Sequence, residues 1–138
     1  MASNVKVAVL GTGSLGQNHA RLYADLAKAG QVEFAGIFDV NPDTARKIAT
    51  RYKTRIFTSM TEAAENADAL NIVTPTSTHF ELAKQLLAQG KHVLIEKPMT
   101  DDTAQAAELV QLVTGQPLSH APLIRHLRGK LEPLYGLK

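Results

Sequence analysis

A short glycine-rich stretch constrains the fold of this chain more than any other feature. It reads Gly11-Thr12-Gly13-Ser14-Leu15-Gly16, follows an apolar run over residues 5–10 and leads into a helical pattern. Gly11 would allow a turn closed to other residues, Gly13 would let a pyrophosphate approach the main chain, and Gly16 would let the helix lie close to its strand. A tight strand-to-helix turn that binds no ligand can have the same glycine spacing. The stretch therefore indicates a dinucleotide site only if the next strand agrees.

The second predicted strand, residues 32–38, does agree, because it ends at Asp39. An acidic side chain about 20 residues beyond the glycines is placed to accept hydrogen bonds from an adenosine ribose. The alternative is that Asp39 serves only a turn or caps a helix. Residues 40–45 contain no Arg or Lys to hold a 2′-phosphate, which Asp39 would repel. We expect NAD rather than NADP, with Arg46 as the nearest residue that could change this preference.

Length and composition exclude several classes of protein. A chain of 138 residues is the size of one folded unit, and its lack of cysteine excludes disulfides and thiolate metal sites, so we expect no metal and a cytoplasmic location. No apolar run reaches the roughly 18 residues of a membrane span, and residues 1–4 have no signal-peptide character. The net charge of +2 arises in residues 116–138, and only 5% of residues are aromatic, so we expect no nucleic-acid binding.

Apolar periodicity and capping patterns predict five alternations of strand and helix. Capping boxes are predicted at Ser59–Glu62 and Thr78–Glu81, and Asn41-Pro42 is typical of a helix start. The predicted strands cover 5–10, 32–38, 55–58, 69–73 and 92–95, and the predicted helices cover about 14–28, 42–52, a short segment after 59, 78–90 and 100–113. This order predicts a doubly wound parallel α/β sheet of the Rossmann type.

Two polar segments follow the last two predicted strands. The first is Thr74-Pro75-Thr76-Ser77-Thr78-His79, and the second is Glu96-Lys97-Pro98. Doubly wound sheets bind ligands at the carboxyl ends of their strands, so both segments should lie beside the glycine loop. His79 could equally be a polar residue in the first turn of a helix, and Lys97 a solvated lysine after a strand. For His19, in the first helix, we expect a packed or surface position rather than a ligand contact.

With these motifs in this order, the chain resembles the glucose–fructose oxidoreductase/inositol dehydrogenase (Gfo/Idh/MocA) family over residues 5 to about 113. The resemblance implies an NAD(P)-binding half that is followed, in the family, by an open-faced sheet that holds substrate and builds oligomers. It implies that the glycine-loop residues and Asp39 hold the adenosine half of the cofactor. The cofactor-binding residues so implied are Gly11, Thr12, Gly13, Ser14, Leu15, Gly16, Asp39, Thr74, Pro75, Thr76, His79, Glu96 and Lys97.

The chemistry that the resemblance implies is hydride transfer between nicotinamide and a carbon of a sugar, nucleotide sugar or cyclitol. In this scheme Glu96 would help to fix the nicotinamide ribose, and Lys97 would touch the substrate as the catalytic proton-transfer group. The sequence of residues 71–98 is similar to that of family members that oxidise nucleotide-linked N-acetyl sugars.

The resemblance ends after about Val113, and the sequence that follows is unlike that of the family. Two prolines, Pro117 and Pro122, make residues 117–124 a poor central strand. We therefore expect a Rossmann domain over 1–115, an atypical basic tail over 116–138 and no second family domain, as in a truncated or frame-shifted product or a short relative. Such a chain would be an incomplete catalyst, with a stand-alone NAD-binding sensor or partner module as the alternative. It would also tend to self-associate through the exposed fifth strand.

Overall fold

A four-stranded parallel sheet forms the centre of the computed structural model, which describes residues 4–136. The strands are β1 (Lys6–Leu10), β2 (Glu33–Phe38), β3 (Ala69–Ile72) and β4 (His92–Ile95), in the spatial order β2-β1-β3-β4. The helices are α1 (Gly16–Lys28), α2 (Pro42–Tyr52), α3 (Met60–Asn66), α4 (His79–Ala88), α5 (Thr103–Thr114) and α6 (Ala121–Tyr135), and a 3₁₀ turn covers Thr76–Thr78.

Both faces of the sheet are covered, because successive side chains of β1 enter different hydrophobic clusters. Ala8 and Leu10 belong to the larger cluster, which α3, α4 and α5 complete. Val9 belongs to the second cluster, where it packs with residues of α1 and α2 such as Ala20 and Ile48. A strand that is buried on both faces is typical of a parallel α/β sheet. The predicted doubly wound fold is confirmed.

The strand predicted over residues 55–58 is wrong, so the described sheet has four strands rather than five. Only Ile56 pairs with the sheet, through an isolated bridge to Ile37, although Phe57 is buried in the core. The ladder stops because the main-chain N–H of Thr58 donates to the Glu62 carboxylate, 2.6 Å away, instead of to a strand. That bond turns the chain into α3.

The helix starts follow the predicted caps in part. Asn41 Oδ1 accepts from the N–H groups of Asp43 and Thr44, as expected. Ser59 Oγ accepts from the N–H of Glu62, although the Glu62 carboxylate binds Thr58 rather than the capping residue.

The second capping box, Thr78–Glu81, is wrong. The Thr78 hydroxyl bonds Thr74 Oγ1 and the Pro75 carbonyl, each at 2.7 Å, and caps no N–H of α4. The reason is the 3₁₀ turn that precedes α4, which draws the Thr78 side chain back toward the end of β3.

The tail contains a helix that the sequence analysis did not predict. Residues 121–135 form α6 with every side chain exposed, including Leu127 and Leu131 on its apolar stripe. Pro122 is compatible with this helix because the first helical turn needs no N–H bond there. Residues 117–124 form no strand, and within the described sheet β4 has β3 as its single neighbour.

None of the helices described between residues 4 and 136 is long and apolar enough to cross a membrane.

We predict that Glu62→Gln lowers the melting temperature at neutral pH but has a smaller effect in acid. The pKa of Glu62 lies below its ordinary value of 4.5, first because of the Thr58 N–H, then because of the Thr58 hydroxyl and Arg55. A carboxyl group whose pKa is lowered by folding stabilises the protein fully at pH values above its ordinary pKa. This stabilisation is lost as the pH falls through the lowered pKa of the folded state. Thermal unfolding from about pH 7 down to about pH 3, followed by circular dichroism, measures both effects.

The matched control is Glu65→Gln on the same helix, where the side chain is exposed. It should leave the melting temperature nearly unchanged. A melting temperature difference for Glu62→Gln that stays constant over the whole pH range would contradict the prediction.

Candidate functional site

The carboxyl ends of β1, β2 and β3 surround a cleft of about 660 Å³. The residues that line it come from the glycine loop, from the segments after β2 and β3, and from α3 and α4. They are Leu10, Gly11, Gly13, Ser14, Leu15, Phe38, Asp39, Val40, Met60, Val73, Thr74, Pro75, Thr78 and Leu82. The cleft is mostly apolar with a few polar groups, which is the usual composition of a small-molecule site.

Two of the three loop glycines are required by the packing of the protein itself. Gly11 has a φ of 88°, and a Cβ there would lie 2.7 Å from the Val73 carbonyl oxygen. A Cβ at Gly16 would overlap the Gly11 carbonyl oxygen. Glycine at these positions lets the main chain turn sharply and lets α1 begin directly against β1.

Gly13 is different, because no protein atom lies within 4 Å of the position that its Cβ would take. Packing therefore gives no reason for glycine here, whereas a ligand that approaches the main chain would. Among residues 4–136 we find no hydrogen-bond partner for the N–H groups of Gly13, Ser14 and Leu15. These groups and the start of the 13-residue α1 attract an anion. The loop fits a pyrophosphate.

Asp39 lies at the end of β2, as predicted. Its bond to the Asn41 N–H is the turn role given as the alternative, whereas its bonds to Thr12 were not predicted. Its Oδ2 accepts from the Thr12 N–H at 2.6 Å and the Thr12 hydroxyl at 2.8 Å, and its Oδ1 accepts from the Asn41 N–H at 2.8 Å. An ionised carboxylate has about four acceptor positions. Asp39 thus ties the glycine loop to β2 and keeps acceptor capacity toward the cleft.

Thr12 and Gly16 are buried and do not line the cleft. Thr12 acts on the cleft through its bonds to Asp39, and Gly16 through the position it gives α1.

The segment after β3 divides between the cleft and the interior. Thr74 and Pro75 line the cleft, and Thr76 lies beyond them in the 3₁₀ turn. His79 is only 1% exposed, with Nε2 at 2.8 Å from the Thr74 carbonyl oxygen and Nδ1 at 3.1 Å from that of Pro98. This ring joins the segments that follow β3 and β4, and it does not reach the cleft lining.

The segment after β4 lies beside the cleft rather than in its lining. Glu96 Oε2 accepts from the Lys97 N–H at 3.1 Å, and Oε1 lies 2.7 Å from His19 Nε2. These two bonds, the Lys97 N–H first and then His19, hold the pKa of Glu96 below its ordinary value. Lys97 is exposed, and a cis peptide bond joins it to Pro98.

Sequence reasoning missed two parts of the site. The first is the apolar wall of Phe38, Val40, Met60 and Leu82, whose members come from separate segments. The second is the contact of His19 with Glu96, in which Asn71 also takes part. A polar Asn71 in the otherwise apolar strand 69–73 was the signal for it. Within the described chain, no group of three His, Asp or Glu side chains could hold a metal ion.

Comparison with known proteins agrees with this geometry. Residues 5–119 match a family model described as an oxidoreductase family with an NAD-binding Rossmann fold, GFO_IDH_MocA. UDP-N-acetylglucosamine 3-dehydrogenase of Acidithiobacillus ferrooxidans is 37% identical over 133 residues, which are 91% of this chain and 41% of the relative. Inositol 2-dehydrogenase of Rhizobium meliloti is 33% identical over 80% of this chain and 33% of the relative.

Solved structures give the same result. That of the A. ferrooxidans enzyme superposes with a TM-score of 0.74 at 38% identity, covering 83% of this chain and 36% of the other. The WlbA dehydrogenase of Bordetella pertussis, in complex with NADH and UDP-GlcNAcA, superposes with a TM-score of 0.72 at 26% identity, covering 81% of this chain and 34% of the other. The chain thus spans well under half the length of these relatives.

We predict that valine has opposite effects at two glycines of the loop. Gly13→Val should leave the melting temperature nearly unchanged and abolish NAD binding, because the side chain fills space that no protein atom uses. Gly16→Val should lower the melting temperature, because overpacking costs about 1–3 kcal/mol or more. Thermal unfolding and NAD titration of both variants separate the effects. NAD affinity that is unchanged in Gly13→Val would mean that the loop is only a turn.

Proposed function

This chain belongs to the Gfo/Idh/MocA oxidoreductase family, and we propose that it binds NAD in the cleft at the carboxyl ends of β1, β2 and β3. The proposal is carried by the open space at Gly13, bordered by Asp39 and by N–H groups that have no partner among residues 4–136. We further propose that the chain supplies the cofactor half of a dehydrogenase that acts on a CH–OH group. NAD, when bound, supplies the hydride acceptor for this chemistry.

Each end of the cleft receives a different part of the cofactor in this proposal. The loop N–H groups bind the pyrophosphate, and Asp39 accepts from the adenosine ribose with the acceptor capacity left by Thr12 and Asn41. The apolar wall packs against the adenine ring. The nicotinamide end is directed toward Glu96 by Thr74 and Pro75, which line the cleft after β3. Thr76 and the buried His79 support that segment from behind.

Lys97 is the proposed catalytic residue. Oxidation of a CH–OH carbon removes a hydride from the carbon and a proton from the hydroxyl oxygen, so a group is needed to take that proton. Lys97 is exposed at the end of β4 next to Glu96, whereas Glu96 itself is held by His19 and His79 is buried between two carbonyl groups. This leaves the Lys97 amino group as the accessible proton-transfer group.

The proposed substrate is a sugar, a nucleotide sugar or a cyclitol. The similar enzymes are named for UDP-N-acetylglucosamine and inositol, and the WlbA structure holds UDP-GlcNAcA. All of these present ring CH–OH groups.

Since the chain spans only part of such enzymes, we propose a Rossmann domain over 1–115 and a separate tail over 116–138. The cytoplasmic location stays a prediction.

A stand-alone NAD-binding sensor or partner module is the second candidate function. It is favoured by the single accessible proton-transfer group, Lys97, among the described residues of the site. Both functions use the same cofactor site, so turnover is what distinguishes them.

We also propose self-association, because β4 is an edge of the described sheet and Leu94 and Val113 expose apolar surface near it.

We predict that the chain prefers NAD to NADP and that Asp39→Ala reduces or reverses this preference. The substitution removes charge-assisted hydrogen bonds worth about 1.5–3 kcal/mol and the repulsion of a 2′-phosphate. Titration of both cofactors by calorimetry measures the preference. Thr12→Val is the matched control, since it removes a hydroxyl donor to Asp39 and keeps the carboxylate. A wild-type protein that prefers NADP would overturn the assignment of Asp39.

We predict that the 138-residue chain binds NAD but forms NADH from UDP-sugars or inositols at well below about 1 s⁻¹, the low end of ordinary enzyme rates. Positioning and proton transfer by further groups contribute about 10²–10⁴-fold or more in rate, and Lys97 alone cannot supply them. Light scattering should show a mass above that of a monomer. A monomer that turns over near ~1 s⁻¹ would show that the chain is a complete enzyme.

A further inference from the structure

His19 connects three elements of the sheet edge through its two ring nitrogens. The ring belongs to α1, Nε2 lies 2.7 Å from Glu96 Oε1, and Nδ1 lies 2.6 Å from Asn71 Nδ2. The side chains of His19 and Glu96 are 20% and 24% exposed, while Asn71, on β3, is fully buried. One partly shielded imidazole thus joins α1 to β3 and to the end of β4.

The partners of His19 define the state of its ring. A carboxylate only accepts, so the proton lies on Nε2 and is donated to Glu96. The amide nitrogen of Asn71 only donates, so Nδ1 is the acceptor. Each ring nitrogen thus has a directed bond. Two bonds on opposite sides of a planar ring fix its orientation.

Asn71 has no packing reason to be polar. It lies in β3, where the neighbouring residues Leu70 and Ile72 are buried and apolar, and its Oδ1 has no partner among the described residues. A buried amide oxygen without a partner destabilises a fold. What the amide does provide is the hydrogen bond that orients His19.

The Glu96 carboxylate is consequently held at both oxygens. Oε1 accepts from His19 and Oε2 accepts from the Lys97 N–H. A free glutamate side chain loses rotamer entropy when a ligand orders it. A carboxylate that is already ordered avoids most of that loss and keeps acceptor positions for the ligand.

We propose that His19, oriented by Asn71, is a positioning residue that holds Glu96 in place to hydrogen-bond the nicotinamide-side ribose of NAD. The inference rests on the proposed function. His19 lies one turn beyond Gly16 on α1, whose first residues face the pyrophosphate in that proposal. The ring therefore also fixes how far Glu96 lies from the phosphate loop.

The test compares a whole and a partial cofactor on the full 138-residue chain. Calorimetry gives the affinities of wild type and His19→Ala for NAD and for ADP, which lacks the nicotinamide riboside. We expect His19→Ala to bind NAD about tenfold more weakly, a difference of about 1.4 kcal/mol, and to bind ADP as wild type does. In a Glu96→Ala background, His19→Ala should cause no further loss of NAD affinity.

Two further variants keep the test decisive. His19→Gln retains an N–H that can donate to Glu96, so it should recover part of the NAD affinity and serves if His19→Ala does not fold. Arg21→Ala, an exposed position on the same helix, should bind both nucleotides as wild type does.

Each outcome has a definite meaning. Unchanged NAD affinity in His19→Ala, or an equal loss of NAD and ADP affinity in both His19 variants, overturns the positioning role while leaving the proposed function intact. A further loss of NAD affinity on adding His19→Ala to Glu96→Ala also overturns it. Wild-type protein that binds neither nucleotide overturns the proposed function, and the inference with it.

Discussion

The contact between Gly16 and the Gly11 carbonyl determines where α1 begins, and the rest of the site depends on it. No residue with a Cβ could take the place of Gly16 without displacing the helix from β1. With α1 in this position, its first residues face the cleft, and its next turn brings His19 to Glu96. The same glycine contact thus sets both the anion-binding end and the far end of the site.

Asp39 is a second constraint, and it serves the apo protein as well as the proposed ligand. Its bonds to Thr12 and Asn41 hold the glycine loop against the end of β2 before any cofactor is present. Preorganisation of this kind improves affinity, because ordering the loop no longer opposes binding. The turn role and the ribose contact, given as alternatives for Asp39, are therefore compatible in one residue.

Features that depend on local patterns could be predicted, and features that depend on long-range contacts could not. The glycine loop, the Asn41 cap and the position of Asp39 follow from short spacings and from the common direction of parallel strands. The His19–Glu96 bond joins residues 77 positions apart, and its one local sign, the polar Asn71 in an apolar strand, does not name the partners. Residues 55–58 have strand-like composition, yet the Thr58–Glu62 bond ends their pairing. Pro122 argued against a strand without indicating the helix that forms.

The exposure of α6 separates its folding from that of the sheet. A 15-residue helix without buried side chains gains little from tertiary packing, and isolated helices of about 12–15 residues are marginal in water. Its helical content therefore follows a gradual helix–coil equilibrium, whereas β1 unfolds only with the whole core. Amide protons of α6 would exchange with solvent almost freely while those of Val7–Leu10 stay protected. Heating this chain would then give two structural transitions, one broad and one cooperative.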